Sequence, residues 1–258
     1  MAKIFTVANQ KGGVGKTTTS INLAASLVSY KKRVLLVDMD PQGNATMGSG
    51  VDKLSLKISV LDVLAGEVDI SDGIQTSRAG GYDLLPSNGD LTAAEVELLE
   101  LKNKESRLRH ALIHVKDDYD FIIIDCPPSL SMLTINSLVS CDGVIVPMQC
   151  EYFALEGLSD LIGTISKISQ RFNPKLKLEG IVRTMFDPRN TLSNEVTAQL
   201  TKHFGRIMYQ IAIPRNVRLA EAPSHGLPGL AYDKKSKGAL AYLGLAGEIL
   251  RRERDLIN

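Results

Sequence analysis

The sequence predicts an α/β fold: one doubly wound, mostly parallel sheet flanked by helices. Three observations carry this. Short apolar runs recur along the 258 residues with helical stretches between them. Several of these runs are unbroken in Val, Ile and Leu, as expected of strands covered on both faces. A glycine-rich loop joins the first run to the first helical stretch, and two later runs end in aspartate. Ligands of such sheets bind at the carboxyl ends of strands.

The first run, Lys3-Ile4-Phe5-Thr6-Val7-Ala8, reads as a buried strand. Residues 18–30 carry Ile21, Leu23, Ala24, Ala25, Leu27 and Val28, which suit a helix. Further strands are expected at 33–37, 82–85, 121–124, 144–147, 178–184 and 207–213. Helices are expected at 59–65, 92–115, 130–140, 154–170, 193–204 and 236–252. Their alternation points to right-handed crossovers and a parallel sheet. No linker, repeat or low-complexity stretch divides the chain, so residues 1–258 are expected to form a single domain.

Composition narrows the function classes. The chain is 44% hydrophobic and 23% charged, near globular norms. No apolar run approaches the roughly 20 residues of a membrane span. Met1-Ala2-Lys3 leads straight into a strand, so no signal peptide is expected. Cys126, Cys141 and Cys150 lack metal-ligand spacing and are expected to be reduced thiols in a cytosolic core. The net charge of +1 hides an asymmetry. Residues 1–182 hold 18 Lys and Arg against 22 Asp and Glu, whereas residues 183–254 hold 12 against 6. That balance suits an anionic partner on one face, and an even scatter of solvated charges is the plain alternative.

The loop Lys11-Gly12-Gly13-Val14-Gly15-Lys16-Thr17-Thr18 carries the most chemistry. Glycines let successive backbone N–H groups wrap a phosphate, and a helix N-terminus beyond adds its dipole. Lys16 supplies a cation for the β- and γ-phosphates, and the Thr17 hydroxyl suits Mg²⁺. The loop departs from the usual G-x-x-x-x-G-K-[ST] pattern, because Gln10 occupies the first glycine position and Lys11 follows it. Lys11 has three readings: a ligand of its own chain's nucleotide, a ligand of a second subunit's nucleotide, or a solvated lysine.

Val34-Leu35-Leu36-Val37 runs into Asp38-Met39-Asp40-Pro41-Gln42-Gly43-Asn44. Two carboxylates two apart at a strand exit suit Mg²⁺ and an attacking water. A solvated Asp-Pro turn is the bland alternative. Phe121-Ile122-Ile123-Ile124-Asp125 fits a Walker B strand, with Asp125 near Mg²⁺. Pro127-Pro128 then turns the chain away from the sheet.

Together these motifs resemble those of the ParA/Soj chromosome- and plasmid-partitioning ATPases, members of the deviant Walker A class of P-loop NTPases. Further matching segments are Gln149-Cys150-Glu151-Tyr152-Phe153-Ala154-Leu155-Glu156-Gly157 and Ile213-Pro214-Arg215-Asn216-Val217-Arg218, and the resemblance spans essentially the whole chain. It implies a nucleotide-gated switch. ATP with Mg²⁺ closes a sandwich homodimer, the dimer binds double-stranded DNA without sequence preference, and a ParB-type partner stimulates hydrolysis. It also implies a cytoplasmic, nucleoid-associated protein of bacteria, without a membrane partner.

Carried over by resemblance, Lys11 reaches phosphates across the dimer, while Lys16 and Thr17 serve phosphate and Mg²⁺ in their own subunit. Asp40 positions the attacking water, and Asp38 and Asp125 belong to the Mg²⁺ shell. Pro214, Arg215 and Asn216 resemble the adenine-contacting segment. Arg189 and Arg218 resemble DNA-contacting arginines, and a structural ion pair of Arg218 with Glu221 is the alternative. Lys234, Lys235 and Lys237 either extend that patch or sit on a solvated loop, and His225 reads as a packing residue rather than a base.

Three other classes fit less well. A MinD-like membrane-associated ATPase needs an amphipathic C-terminal helix, and 250–258 offers little apolar surface. An iron–sulfur protein needs suitably placed cysteines, and no C-x-x-C exists. A non-hydrolysing DNA-binding module is at odds with a complete nucleotide site. Only ten residues precede Lys11, so the N-terminal helix-turn-helix of some plasmid partition proteins is not expected.

Overall fold

The computed structural model describes residues 1–151 and 154–255; the side chains of 94, 95 and 154 lie outside the description. Among the described residues, seven strands form one sheet: β1 (Lys3–Val7), β2 (Val34–Asp38), β3 (Gln75–Ser77), β4 (Tyr82–Leu85), β5 (Phe121–Asp125), β6 (Gly143–Met148) and β7 (Lys177–Arg183). Their spatial order is β3-β4-β2-β5-β1-β6-β7. All neighbours pair parallel except the edge hairpin of β3 and β4.

The helices are α1 (Lys16–Ser29), α2 (Asn44–Gly48), α3 (Val60–Ala65), α4 (Ile70–Gly73), α5 (Leu91–Glu100), α6 (Arg107–Ile113), α7 (Met132–Ser140), α8 (Ala154–Arg171), α9 (Thr191–Phe204), α10 (Val217–Glu221), α11 (Gly229–Tyr232) and α12 (Lys237–Asp255). Alternate strand residues feed two cores, because side chains switch face at every step. Val34, Leu36, Phe121 and Ile123 pack with Ile21, Leu23 and Leu27 of α1 and with Tyr242, Leu245 and Ile249 of α12. Leu35, Val37, Ile122 and Ile124 pack against α3 and α5–α9, including Leu64, Leu98, Leu112, Leu138 and Leu161. The unbroken apolar runs therefore mark strands buried on both sides.

Local chemistry fixes the element ends. Ser59 caps α3 in a capping box with Asp62, and Asn190 caps α9 by accepting from the Ser193 amide at 3.2 Å. Cys126, Cys141 and Cys150 are free and buried.

Two sequence expectations are corrected. Residues 207–213 form no strand; Met208 makes one isolated bridge to Ile181 of β7, and the bridge to Phe186 belongs to Pro214, just beyond the expected strand. The Glu248 carboxylate of α12 accepts from the Gln210 and Ile211 amides at 3.0 and 3.1 Å, so these groups do not join the ladder. The helix expected over 92–115 is two helices. The chain leaves α5 at an extended Leu101 and passes through a left-handed Asn103. Asn136 takes the Lys104 carbonyl at 2.7 Å, and the Arg107 guanidinium takes the Leu64 and Ala65 carbonyls at 2.7 Å each. Tertiary hydrogen bonds thus outweigh a continuous apolar pattern. Strand β3 has no apolar signal, since Gln75 and Thr76 are exposed.

Gly180 in β7 has a steric role. A Cβ there would stand 2.2 Å from the ring of Tyr209, which is 1% exposed. The Arg252 guanidinium also lies over that ring, 4.3 Å from its centroid. Gly180→Ala is therefore expected to cost about 2 kcal/mol and lower the melting temperature by about 4–8 °C. An unchanged melting temperature would mean that the ring shifts freely.

Candidate nucleotide site

The sheet order brings the three motifs together. Strands β2, β5 and β1 are neighbours, and Asp38, Asp125 and Val7 share one register line. The glycine loop leaves the end of β1 beside the two aspartates. Asn9 anchors its start: the side-chain oxygen accepts from the Lys11 amide at 2.9 Å, and the amide group donates to the Pro147 carbonyl at 2.8 Å. Gly13 and Gly15 take φ of 73° and 89°, which glycine adopts without strain. A Cβ at Gly12 or Gly13 would meet nothing within 4 Å, so the loop is an open cradle.

The 14-residue helix α1 starts at Lys16 with no side-chain cap and no acid in its first turn. Its first N–H groups and dipole are left for an anion. Lys16 is 7% exposed, and its ammonium donates to the Lys11 carbonyl at 3.1 Å. Burial pushes that ammonium below its ordinary value, while the Asp125 and Asp40 carboxylates pull it back up. A cavity of about 400 Å³ opens here, lined by Gly12, Gly13, Gly15, Lys16, Thr17, Thr18, Asp40, Gln42, Asn44 and Pro128.

The three aspartates differ in how they are held. Asp38 is fully buried, and accepts from the Asp40 amide at 3.1 Å and from the Thr46 amide and hydroxyl at 2.8 and 2.7 Å. Asp125 is fully buried, and one of its oxygens accepts from the Ser20 hydroxyl at 2.8 Å. Its other oxygen is buried without a hydrogen-bond partner. Burial pushes both carboxyls above their ordinary range, and their mutual repulsion adds to the shift of Asp125. A buried carboxylate with one orphaned oxygen, near Thr17 and a second carboxylate, supplies the hard-oxygen donors that Mg²⁺ accepts. The residues present therefore fit that ion.

Lys11 lies on the surface of the loop. Its ammonium meets the Glu151 carboxylate at 2.5 Å, with the two side chains 47% and 53% exposed. Pro214, Arg215 and Asn216 follow Ile213, whose amide donates to the Arg183 carbonyl at 2.8 Å. Asn216 caps α10, and none of these three residues lines the 400 Å³ cavity. Arg189 forks onto Asp187 at 3.0 and 2.8 Å. Arg218 meets Glu221 at 2.9 Å and Asp233 at 3.7 Å, so the ion-pair alternative is present in the structure. Lys234, Lys235 and Lys237 are exposed. His225 stacks on Tyr232 with centroids 5.0 Å apart, a packing role. Tyr152 and Phe153 of the matching segment lie outside the described residues.

Sequence reasoning missed the residues that hold the carboxylates. Ser20 binds Asp125, Thr46 binds Asp38, and Ser87 bonds to the Thr46 hydroxyl and the Asp40 carbonyl at 2.9 Å each. Only Thr46 carried a signal, since it closely follows Asp38-Met39-Asp40.

A family model described as an AAA domain matches residues 2–178. The sporulation initiation inhibitor protein Soj of Bacillus subtilis is 50% identical over 96% of this chain and 98% of its own length. The chromosome partitioning protein ParA of Caulobacter vibrioides is 47% identical, over 98% and 96%. Among solved structures, a Mycobacterium smegmatis protein described as cobyrinic acid a,c-diamide synthase with bound ADP and magnesium matches with a TM-score of 0.87. It is 40% identical, over 98% of this chain and 96% of that one. With these relatives and this sheet, the chain belongs to the ParA/Soj family of partitioning ATPases.

Proposed function

We propose that this chain is an ATP-dependent DNA-segregation ATPase, nucleoid-associated in a bacterial cytoplasm. The observation that carries the reading is the convergence of Lys16, Asp38, Asp40 and Asp125 on adjacent strand ends beside an open glycine cradle. In this reading the loop N–H groups and Lys16 hold the ATP phosphates. Thr17, Asp38 and Asp125 hold Mg²⁺, which when bound neutralises phosphate charge. Asp40 orients the attacking water. Pro214, Arg215 and Asn216 sit by the adenine once the nucleotide is bound.

Two ATP-bound subunits close face to face, with each Lys11 crossing to the other's phosphates. An exposed ion pair contributes only about 0.2–1 kcal/mol, so Glu151 releases Lys11 readily to a more highly charged phosphate. Lys11→Ala is expected to weaken ATP-dependent dimerisation at least about tenfold in analytical ultracentrifugation, with ADP binding retained. If this variant dimerises and hydrolyses ATP like the parent, the cross-subunit role is wrong.

The dimer then binds duplex DNA through Arg189 and Arg218, and a ParB-type partner ends the cycle by stimulating hydrolysis. The direct test is binding to a random-sequence duplex with ATP, with ADP and with no nucleotide, across a salt series. ATP-dependent, salt-sensitive, sequence-blind binding is expected. Absence of binding in all three states would sink the reading. The MinD-like alternative gains nothing from α12, whose Ala239, Tyr242, Leu245, Ala246 and Ile249 are buried in the core rather than offered to a bilayer.

A further inference from the structure

Thr184 lies one residue beyond β7 and is 3% exposed. Its amide donates to the Met148 carbonyl at 2.8 Å, continuing the β6–β7 ladder. Its hydroxyl donates to the Val14 carbonyl at the crest of the glycine loop, at 2.7 Å. Its methyl group stands 3.8 Å from where a Cβ on Gly15 would lie. The bond joins residues 170 apart in sequence and reaches past β6, which separates β7 from β1.

That contact fixes a direction. In a trans peptide the C=O and N–H lie in one plane and point in opposite directions. With the Val14 carbonyl tied to Thr184, the N–H of Gly15 is turned away from Thr184. Gly15 lines the 400 Å³ cavity, and no described residue accepts from its N–H. Nothing else outside the loop and α1 bonds to residues 12–14 among the described residues. A Cβ on Gly12 or Gly13 would point into open space, with nothing packed against it. A glycine loop left to itself rotates its peptides freely, and a phosphate would then have to order them at a cost in affinity.

The geometry points to Thr184 as a positioning residue of the phosphate site: its hydroxyl holds the Val14–Gly15 peptide so that the Gly15 N–H is a preset donor to a nucleotide phosphate oxygen. This rests on the reading of the loop as a nucleotide cradle and adds to it a brace supplied by β7. Thr184 touches no substrate itself. It acts through one peptide plane.

Two variants separate the hydroxyl from the shape. Thr184→Val keeps the volume and leaves the buried Val14 carbonyl without its donor, whereas Thr184→Ser keeps the donor and loses the methyl. Affinities for Mg²⁺-ADP and Mg²⁺-ATP are measured by titration calorimetry, with melting curves of the nucleotide-free proteins as the control. Thr184→Val is expected to bind both nucleotides about tenfold more weakly, and Thr184→Ser to stay within about twofold of the parent. Parent-like binding by Thr184→Val overturns the proposal, and so does an equal loss in Thr184→Ser, which would assign the effect to shape.

If Thr184→Val does not fold, the parent labelled with ¹⁵N-glycine decides. The Gly15 amide proton is expected to move strongly downfield on addition of Mg²⁺-ADP, and an unmoved resonance overturns the assignment. A parent that binds neither nucleotide removes the cradle reading and the proposal together. A parent that binds them beside an unaffected Thr184→Val removes only the proposal.

Discussion

Asp40→Ala is expected to hydrolyse ATP at least about 10²-fold more slowly than the parent, with its affinity for ATP staying within a few fold. The expectation follows from how the three site carboxylates are held. Asp38 accepts from Asp40 and Thr46, and Asp125 accepts on one side from Ser20 and is sealed from solvent on the other, so both are held back from the cavity for the Mg²⁺ role. Asp40 alone of the three lines the cavity. One of its oxygens accepts from the Gln42 amide at 2.9 Å, which fixes the carboxylate, and no described residue donates to the other. A fixed carboxylate with one free oxygen at a phosphate cavity suits a water in line for attack. Asp40→Asn keeps the acceptor for Gln42 and loses the charge, so it should be as slow as the alanine variant. Phosphate release at saturating Mg²⁺-ATP, paired with nucleotide titration, tests both. Normal turnover in either variant would move the catalytic role elsewhere. The basal rate is itself expected to be low, because no arginine lines this cavity among the described residues. Cations supplied in trans accelerate phosphoryl transfer by roughly 10³–10⁵ in GTPases, which bounds what a partner could add.

The second large effect is on DNA. Arg189→Glu with Arg218→Glu is expected to weaken duplex binding about 10²-fold at low salt. The slope of log K against log salt should become shallower by about 2, near one unit for each phosphate no longer neutralised. Both arginines already have carboxylate partners, at Asp187 and at Glu221 with Asp233. Those pairs are exposed, with Arg189 88% and Arg218 53% accessible, so water screens them and a phosphate can displace the carboxylate. The double glutamine variant separates charge loss from repulsion. It should show the same shallower slope with a smaller drop in affinity. Dimerisation with ATP should be unchanged in both. A parent-like slope would leave the arginines as surface ion pairs, the alternative that the sequence itself allowed.

The sequence made the site legible because its parts are local. Lys11 to Thr18, Asp38 to Asn44 and Phe121 to Asp125 are each continuous segments whose spacing carries the chemistry. Apolar strands ending in aspartate place those acids at sheet ends wherever the strands pair. The parts that stayed hidden depend on distant partners. Nothing in the composition of residues 207–213 says that Glu248 will take the amides of Gln210 and Ile211. Nothing in residues 92–115 says that Asn136 will break the helix by claiming the Lys104 carbonyl. Thr184 belongs to no motif, and its partner Val14 lies 170 residues away. The pairing of Lys11 with Glu151 was equally invisible, although both residues stood in segments that matched the family.

The buried cysteines make the folded chain a poor target for thiol chemistry. Burial pushes the Cys126 and Cys150 thiols upward and that of Cys141 up to about 12. The reactive thiolate is then scarce at neutral pH, and little of any sulfur is accessible. Alkylation of the unmodified protein therefore proceeds through transient opening of the fold, and its rate serves as a clock for that opening. Nucleotide that tightens the ends of β1, β5 and β6 should slow this clock at Cys126, which follows Asp125 directly. A dye attached at one introduced surface cysteine would meanwhile report from that position alone.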